Sequence, residues 1–207
     1  RYDHARPTDT FVPWRDKYHP SIIKHKPVGY IIPRAWSGIA ERLEEQGVEV
    51  ERFGTERPFT VEVDSIDEFK TGQQPYEGHY LHRDIRCVPK RSAFVAQEGD
   101  MLVRTGQVTD RLIMETLEPE GEDSYFAWGL FDSSLQQKEW FSDYVFEDIA
   151  AELLKKDAAL KAALESKRTA EPAFAKDEWA QLYFVYQRSP YFEPSLRKYP
   201  VLRVIGE

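Results

Sequence analysis

A short segment of the chain carries the residue types that bind transition metals. It contains two histidines with acidic neighbours, namely Glu77, His79, His82 and Asp84. Imidazole and carboxylate groups are suitable ligands for zinc or iron. The surrounding pattern, however, predicts a β-strand, on which His79 and His82 would point to opposite faces. The spacing therefore favours polar side chains on an edge strand over a metal site.

A run of carboxylates follows at residues 115–123, with Glu115, Glu118, Glu120, Glu122 and Asp123. Hydrolases that use two carboxylates need the pair placed across a cleft, with the pKa of one raised. Closeness in sequence does not supply that geometry. We therefore interpret the run as a solvated acidic loop and keep a hydrolase as a third alternative. Cys87, the one cysteine, lies in a predicted strand and is expected to be inert.

Aromatic residues are abundant, and they could form either a core or a binding platform. The central group comprises Tyr125, Phe126, Trp128, Phe131, Trp140 and Phe141. Leu130 and Leu135 lie among these aromatics, which favours burial of the group. A peptide- or glycan-binding module would instead expose aromatics along a groove. The candidates for such a groove are Tyr76, Tyr80, Trp128 and Tyr191.

The elements that hold these residues follow from the hydrophobic period. Residues 33–47 repeat apolar side chains at helical spacing, and Gly47 supplies a left-handed stop. Residues 48–53 alternate as a strand. Short strands then follow at 59–63, 80–88, 93–96 and 101–105, and they predict an antiparallel sheet or a small sandwich.

Helical spacing returns after residue 108. A short helix capped by Thr109 or Asp110 is predicted to hold Leu112, Ile113 and Leu117. Further helices are predicted from about residue 142 to 156 and, with Asp157 as a cap, through Arg168. A further apolar stripe covers 179–186, and a closing strand is predicted over 199–205. The fold class is therefore α+β, with an N-terminal helix-strand unit, a central sheet and a helical C-terminal half. Residues 1–28 are proline-rich and predict an extended arm, and residues 29–207 are expected to form a single domain.

Charge and hydropathy restrict the partners of the chain. The 207 residues carry a net charge of −8, which argues against nucleic acid as a partner. The apolar runs are too short for a membrane-spanning helix. The opening residues show no signal sequence, so we expect a processed or truncated piece of a longer protein.

Four segments together resemble the C-terminal region of bacterial M14-type zinc carboxypeptidases. They are Gly29-Tyr-Ile-Ile-Pro-Arg-Ala-Trp36 with the following helix, Gly99 to Gln107, Leu117-Glu-Pro-Glu120 with Asp123, Trp128 and Asp132, and Tyr199-Pro-Val-Leu-Arg203. The resemblance spans about residues 29–205. In that family the zinc ligands are a His-x-x-Glu pair and a distant histidine, and no histidine of this chain is followed by glutamate three residues later.

The resemblance therefore implies a non-catalytic accessory domain that packs on an upstream peptidase domain and shapes its cleft for peptide substrates. Zinc would belong to that upstream domain, with no cofactor or catalytic residue in this chain. The protein would be exported, either periplasmic or extracellular. We expect an apolar contact surface at Trp14 and at the outer side of the first helix, near Trp36. The alternative is an autonomous peptide- or glycan-binding module.

Overall fold

The computed structural model describes residues 9–206 and confirms the α+β fold class. Within these residues there is one antiparallel sheet of six strands and there are six α-helices. The strands are β1 (Gly29–Ile32), β2 (Glu51–Arg52), β3 (Arg57–Thr71), β4 (His82–Ala96), β5 (Met101–Arg104) and β6 (Leu202–Gly206). The helices are α1 (Ser37–Glu45), α2 (Asp110–Leu117), α3 (Asp143–Lys156), α4 (Ala158–Ala170), α5 (Pro172–Ala175) and α6 (Glu178–Tyr186). Short 3-10 turns at Arg34–Trp36 and Asp132–Leu135 complete the set.

The sheet has the order β2-β5-β1-β6-β3-β4, and every neighbouring pair is antiparallel. The final strand β6 therefore lies between β1 and β3, in the interior of the sheet. Alternate residues of β1 face opposite sides, because side chains in a strand alternate. Tyr30 and Ile32 pack with α1, α2 and the segment 125–131, whereas Ile31 packs with Phe59 and Val204 on the other face.

Strands β3 and β4 form a hairpin of two 15-residue strands, longer than the separate strands predicted over 80–88 and 93–96. Pro89 interrupts the strand pattern in the sequence. Proline is tolerated here because β4 is an edge strand. On the side of an edge strand that has no neighbouring strand, a missing backbone N–H loses no hydrogen bond of the sheet. Most of β4 is solvent-exposed, so its sequence lacks the alternation that marks a half-buried strand.

The segment from α3 to α6 packs around a hydrophobic cluster of its own. Phe146, Leu160, Leu164, Phe174, Phe184 and Tyr186 form the centre of this helical unit. Asp157 and Asp177 cap α4 and α6, each accepting a hydrogen bond from the amide three residues ahead. The carboxylate of Glu193 joins the two ends of the unit, because it accepts from the amides of Lys138 and Glu139 and from Ser195 Oγ.

Residues 9–28 carry no helix or strand, and residues 1–8 of the predicted arm lie outside the described residues. The extended arm stays a prediction. The predicted strand at 48–53 is reduced to the two residues of β2. Its apolar members Val48 and Phe53 are buried outside the ladder instead. The assignment of 29–207 to a single domain stays a prediction.

Candidate interaction sites

The hairpin that joins β3 to β4 places aromatic rings at the surface. At its tip, Glu77 and Gly78 have φ values of 47° and 83°, and Tyr76 and His79 exchange two backbone hydrogen bonds. Positive φ at both positions is the type I′ geometry that matches the twist of a hairpin. The turn brings Tyr76 and His79 against Trp128, with ring centroids 6.1 and 5.6 Å from the indole. Three predicted candidates therefore lie together.

A groove of about 410 Å³ lies beside this tip. It is lined by residues 81–85 at the start of β4 and by residues 120–123 of the acidic run. Tyr80, which directly precedes the groove residues, is exposed, as is Tyr76 at the tip. The groove itself is lined mainly by polar and charged side chains, and the two exposed rings are not among its lining residues.

His82 connects the hairpin to the loop before the helical unit. Its imidazole is 5% exposed, and Nδ1 lies 3.0 Å from Thr71 Oγ1 while Nε2 lies 2.8 Å from Asp132 Oδ1. Because a carboxylate accepts, Nε2 donates to Asp132 and Nδ1 accepts from the Thr71 hydroxyl. The ring also packs between Phe69 and Phe126, at 4.9 and 5.3 Å. Both nitrogens are used, so His82 acts as a structural crosslink.

The four metal candidates are not gathered around one point. His82 is bonded through both ring nitrogens, His79 packs on Trp128, and Asp84 pairs with Lys70 Nζ at 2.7 Å. Among residues 9–206, no group of three or more His, Cys, Asp and Glu side chains is placed to hold a metal ion. The side chains of His79, His82 and Asp84 thus take part in separate contacts, and the interpretation of the four candidates as polar residues on an edge strand stays a prediction.

The acidic run is only partly a solvated loop. Glu118 is buried, and its Oε1 accepts a hydrogen bond from Tyr30 Oη at 2.7 Å. Arg203 Nε lies 2.9 Å from the same oxygen, an ion-pair distance without hydrogen-bond alignment. Glu120 Oε1 accepts from the amide of Cys87 at 3.0 Å. These two carboxylates are engaged in pairing across the fold.

The buried polar cluster extends to β3 and to the closing segment. Asp64 is 1% exposed, and burial raises the pKa of its carboxyl more than Lys24 lowers it. Burial also raises the pKa values of Tyr30 and Tyr199. The pKa of the Cys87 thiol is well above its ordinary range, because of burial and then the charge of Asp64. A thiol in this state is a poor nucleophile, as the sequence indicated.

The arm exposes large apolar side chains. Trp14 is 83% exposed, and the neighbouring exposed residues are Phe11, Val12, Tyr18, Ile22 and Ile23. The outer side of α1 differs, since the shallow depression there is bordered by Glu41, Arg42 and Glu45 as well as by Trp36. Exposed apolar residues concentrated in one segment mark an interaction surface. Apolar side chains are exposed around Trp14, whereas charged residues border the outer side of α1, and the two contact surfaces stay predictions.

The two remaining aromatic candidates lie elsewhere. Trp36 is half-buried and packs on Phe131, with ring centroids 4.9 Å apart, so it borders the core under the sheet. Tyr191 is exposed, but it belongs to the helical unit, where it lies near Phe146. Neither contributes to the groove beside the hairpin tip.

Sequence reasoning missed the buried cluster of Tyr30, Asp64 and Arg203. A signal existed, since Arg203 stands in an otherwise apolar strand, where a charged side chain requires a buried partner. The partner could not be found, because Glu118 belongs to a segment that resembles solvated loop. Lys24 was also missed, because it lies in an arm without periodicity.

Comparisons with known proteins give distant relatives. No family model and no solved structure matches the chain. The chain is 29% identical over 119 residues to a carboxypeptidase 2 of Trichophyton rubrum, and 28% identical over 114 residues to those of Trichophyton tonsurans and Trichophyton equinum. The matches cover 54–55% of this chain, and the chain spans about one fifth of the length of these relatives.

About half of the chain is therefore similar in sequence to a region of fungal carboxypeptidases. These relatives agree with the peptidase part of the expected resemblance. They are fungal, so a bacterial origin has no support from them. Among the described residues, no helix is long and apolar enough to cross a membrane.

Proposed function

We propose that this chain is a non-catalytic companion region of a carboxypeptidase-like peptidase, which packs on the peptidase domain and shapes its cleft. The observation that carries the proposal is the arm, whose aromatic side chains Phe11, Trp14 and Tyr18 are almost fully exposed. Surfaces of this kind gain stability by burial against a partner. The similarity to fungal carboxypeptidases supports a peptidase domain as that partner.

The finer parts of the proposal come from the sequence resemblance. The companion peptidase would be of the M14 type and would hold its own zinc, and the complete protein would be exported. This chain supplies contact surface and no catalytic group. Its acidic charge would favour basic peptides over acidic ones where it borders the cleft.

The first test is the coding sequence on both sides of this segment. We expect an upstream domain with a His-x-x-Glu pair and a distant histidine. The complete protein should then release C-terminal residues from peptides. A complete protein without such a domain would refute the proposal.

The second test changes the arm in the complete protein. The triple variant Phe11→Ser, Trp14→Ser, Tyr18→Ser should lower kcat/KM about tenfold or more, since each ring contributes burial energy to the domain contact. Val108 is equally exposed and apolar but lies outside the arm, so Val108→Ser is the matched control. Equal activity of the two variants would contradict a role of the arm.

A second candidate, an autonomous peptide- or glycan-binding module, is favoured by the groove beside the hairpin tip. Tyr76 and Tyr80, which precede the groove residues in the hairpin, are exposed and can stack on a ligand. Calorimetric titration with peptides and oligosaccharides would test it. Saturable binding that is lost in Tyr76→Ala and Tyr80→Ala, and kept in Tyr191→Ala, would support the module.

A further inference from the structure

The root of the arm is fixed to the sheet domain, although the rest of the arm is exposed. Lys24 forms an ion pair with Glu120. Arg203 Nη2 donates to the carbonyl of His25 at 2.5 Å, and Lys26 Nζ lies 2.9 Å from Asp110 Oδ2. The Lys24 side chain is only 21% exposed, so its ammonium group enters the protein rather than lying on the surface.

The ammonium group of Lys24 lies near more negative charge than its single positive charge neutralises. Asp64, Glu118 and Glu120 act on Lys24 electrostatically. Burial on its own lowers the pKa of Lys24, but the hydrogen bond to Glu120 and the three negative charges outweigh burial and raise the pKa above its ordinary value of 10.5. Arg203 is the second cation of the cluster, and it bonds Glu62 as well as approaching Glu118.

Two carboxylate oxygens of the cluster lack hydrogen-bond donors in the part of the chain that the structure describes. Asp64 Oδ1 and Glu118 Oε2 are buried without a hydrogen-bond partner among the residues that the structure describes. A buried acceptor without a partner is costly, so these atoms mark a place where donors are missing. A cavity of about 430 Å³ is lined by Glu118 and Glu120 together with Lys24, and its wall also includes Ile22 and Met114.

We propose that Glu118 and Glu120, with the negative charge of Asp64 acting on the same point, form a binding site for a primary alkylammonium group, in which Lys24 pairs with Glu120 in this structure. An ammonium group carries three donors on one compact charge, which suits several carboxylate oxygens around one point. The apolar wall from Ile22 and Met114 suits an alkyl chain. The arm is thereby held by a chemical group that a soluble amine can replace.

The site can be tested by chemical rescue. Lys24→Ala removes the ammonium group and the three methylenes beyond Cβ, and n-propylammonium has these same heavy atoms. We expect Lys24→Ala to lower Tm by about 4–8 °C, because Glu120 loses a largely buried partner. Propylammonium at ten times its Kd should then raise Tm by about 3–6 °C, by preferential binding to the folded state.

Three controls make the result decisive. Tetramethylammonium chloride at equal ionic strength should not rescue, because it has no N–H donor. Propylammonium should not rescue the double variant Lys24→Ala, Glu120→Gln. It should not stabilise Lys26→Ala either, which loses the more exposed pair with Asp110. An equal response to both salts, or no response of Lys24→Ala, would overturn the site.

A second measurement tests the site if Lys24→Ala does not stay folded. In that case the recovery of folded protein after dilution from urea is compared in propylammonium and in tetramethylammonium. A severalfold higher recovery in propylammonium supports the site. Equal recovery in the two salts overturns it.

Discussion

Two tyrosines on the same face of the sheet offer a controlled test of the buried polar cluster. Tyr30 is 0% exposed and its hydroxyl donates to Glu118 Oε1 at 2.7 Å. Tyr199 is 2% exposed, and its hydroxyl has no hydrogen-bond partner among residues 9–206. The substitutions Tyr30→Phe and Tyr199→Phe therefore remove the same atom from two sites that differ in hydrogen bonding.

The expected magnitudes follow from that difference. A hydrogen bond to a charged acceptor contributes about 1.5–3 kcal/mol to stability. Its loss leaves the buried carboxylate of Glu118 with one hydrogen-bond donor fewer. Tyr30→Phe should lower the free energy of unfolding by about 2 kcal/mol, with a Tm decrease of about 4–8 °C. Tyr199→Phe removes a hydroxyl whose burial is not offset by a bond, so it should be neutral or stabilising by up to about 1 kcal/mol.

Urea unfolding followed by tryptophan fluorescence measures both variants. The slope against urea should stay constant, which shows that the change lies in stability and not in the surface exposed on unfolding. An equal loss of stability in the two variants would refute the role given to the Tyr30–Glu118 bond. A loss of more than about 1 kcal/mol in Tyr199→Phe would show that its hydroxyl has a partner.

Three further predictions concern charges and the histidines. Burial raises the pKa of Asp64 in the folded state above its ordinary value of 3.8, so the unfolded state loses this proton at lower pH. The contribution of Asp64 to stability therefore declines as pH rises from 3.8 to the higher pKa of the folded state. Asp64→Asn should flatten the decline, as measured by urea unfolding at about pH 4 and pH 7. His82→Ala should cost about 2–4 kcal/mol through loss of its two hydrogen bonds and ring packing, whereas His79→Ala should change stability by less than about 0.5 kcal/mol. The amides of residues 138 and 139 hold the pKa of Glu193 below its ordinary value, so its contribution is lost as pH falls below 4.5. Near-ultraviolet circular dichroism of the helical unit should show this loss in wild type and not in Glu193→Gln.

The helices were more predictable from the sequence than the sheet. The Asp157 cap and the apolar period place α3 and α4 correctly, because both signals are local. The strand β4 was divided, because Pro89 is incompatible with an interior strand and only the sheet order shows that β4 is an edge. The interior position of β6 depends on pairing with β1 and β3, which local patterns do not encode.

The candidate sites likewise combine features that the local sequence indicates with features that only long-range contacts create. Trp14, Tyr76 and Tyr80 were named from the sequence as candidate contact residues, and all three are exposed. The burial of Glu118 was not, because Tyr30 lies 88 residues away in sequence. In the sequence alone, a buried carboxylate in an acidic run looks the same as one in a solvated loop. Its hydrogen-bond donors come from distant parts of the chain. Buried charge pairs are long-range features, so a single sequence indicates their members only as misfits in apolar strands.

The exposed apolar side chains of the arm bear on the proposed partner domain in the same polypeptide. Burying its exposed apolar side chains would contribute about 1.5–3 kcal/mol each. Fixing the backbone of residues 9–21 costs roughly 1–2 kcal/mol per residue, so ordering the arm offsets the gain from burial. A separate protein would bind such an arm weakly. A domain joined to it by the chain gains an effective concentration in the millimolar range, which makes a marginal contact stable. The energetics of the arm thus favour a companion domain over a free partner.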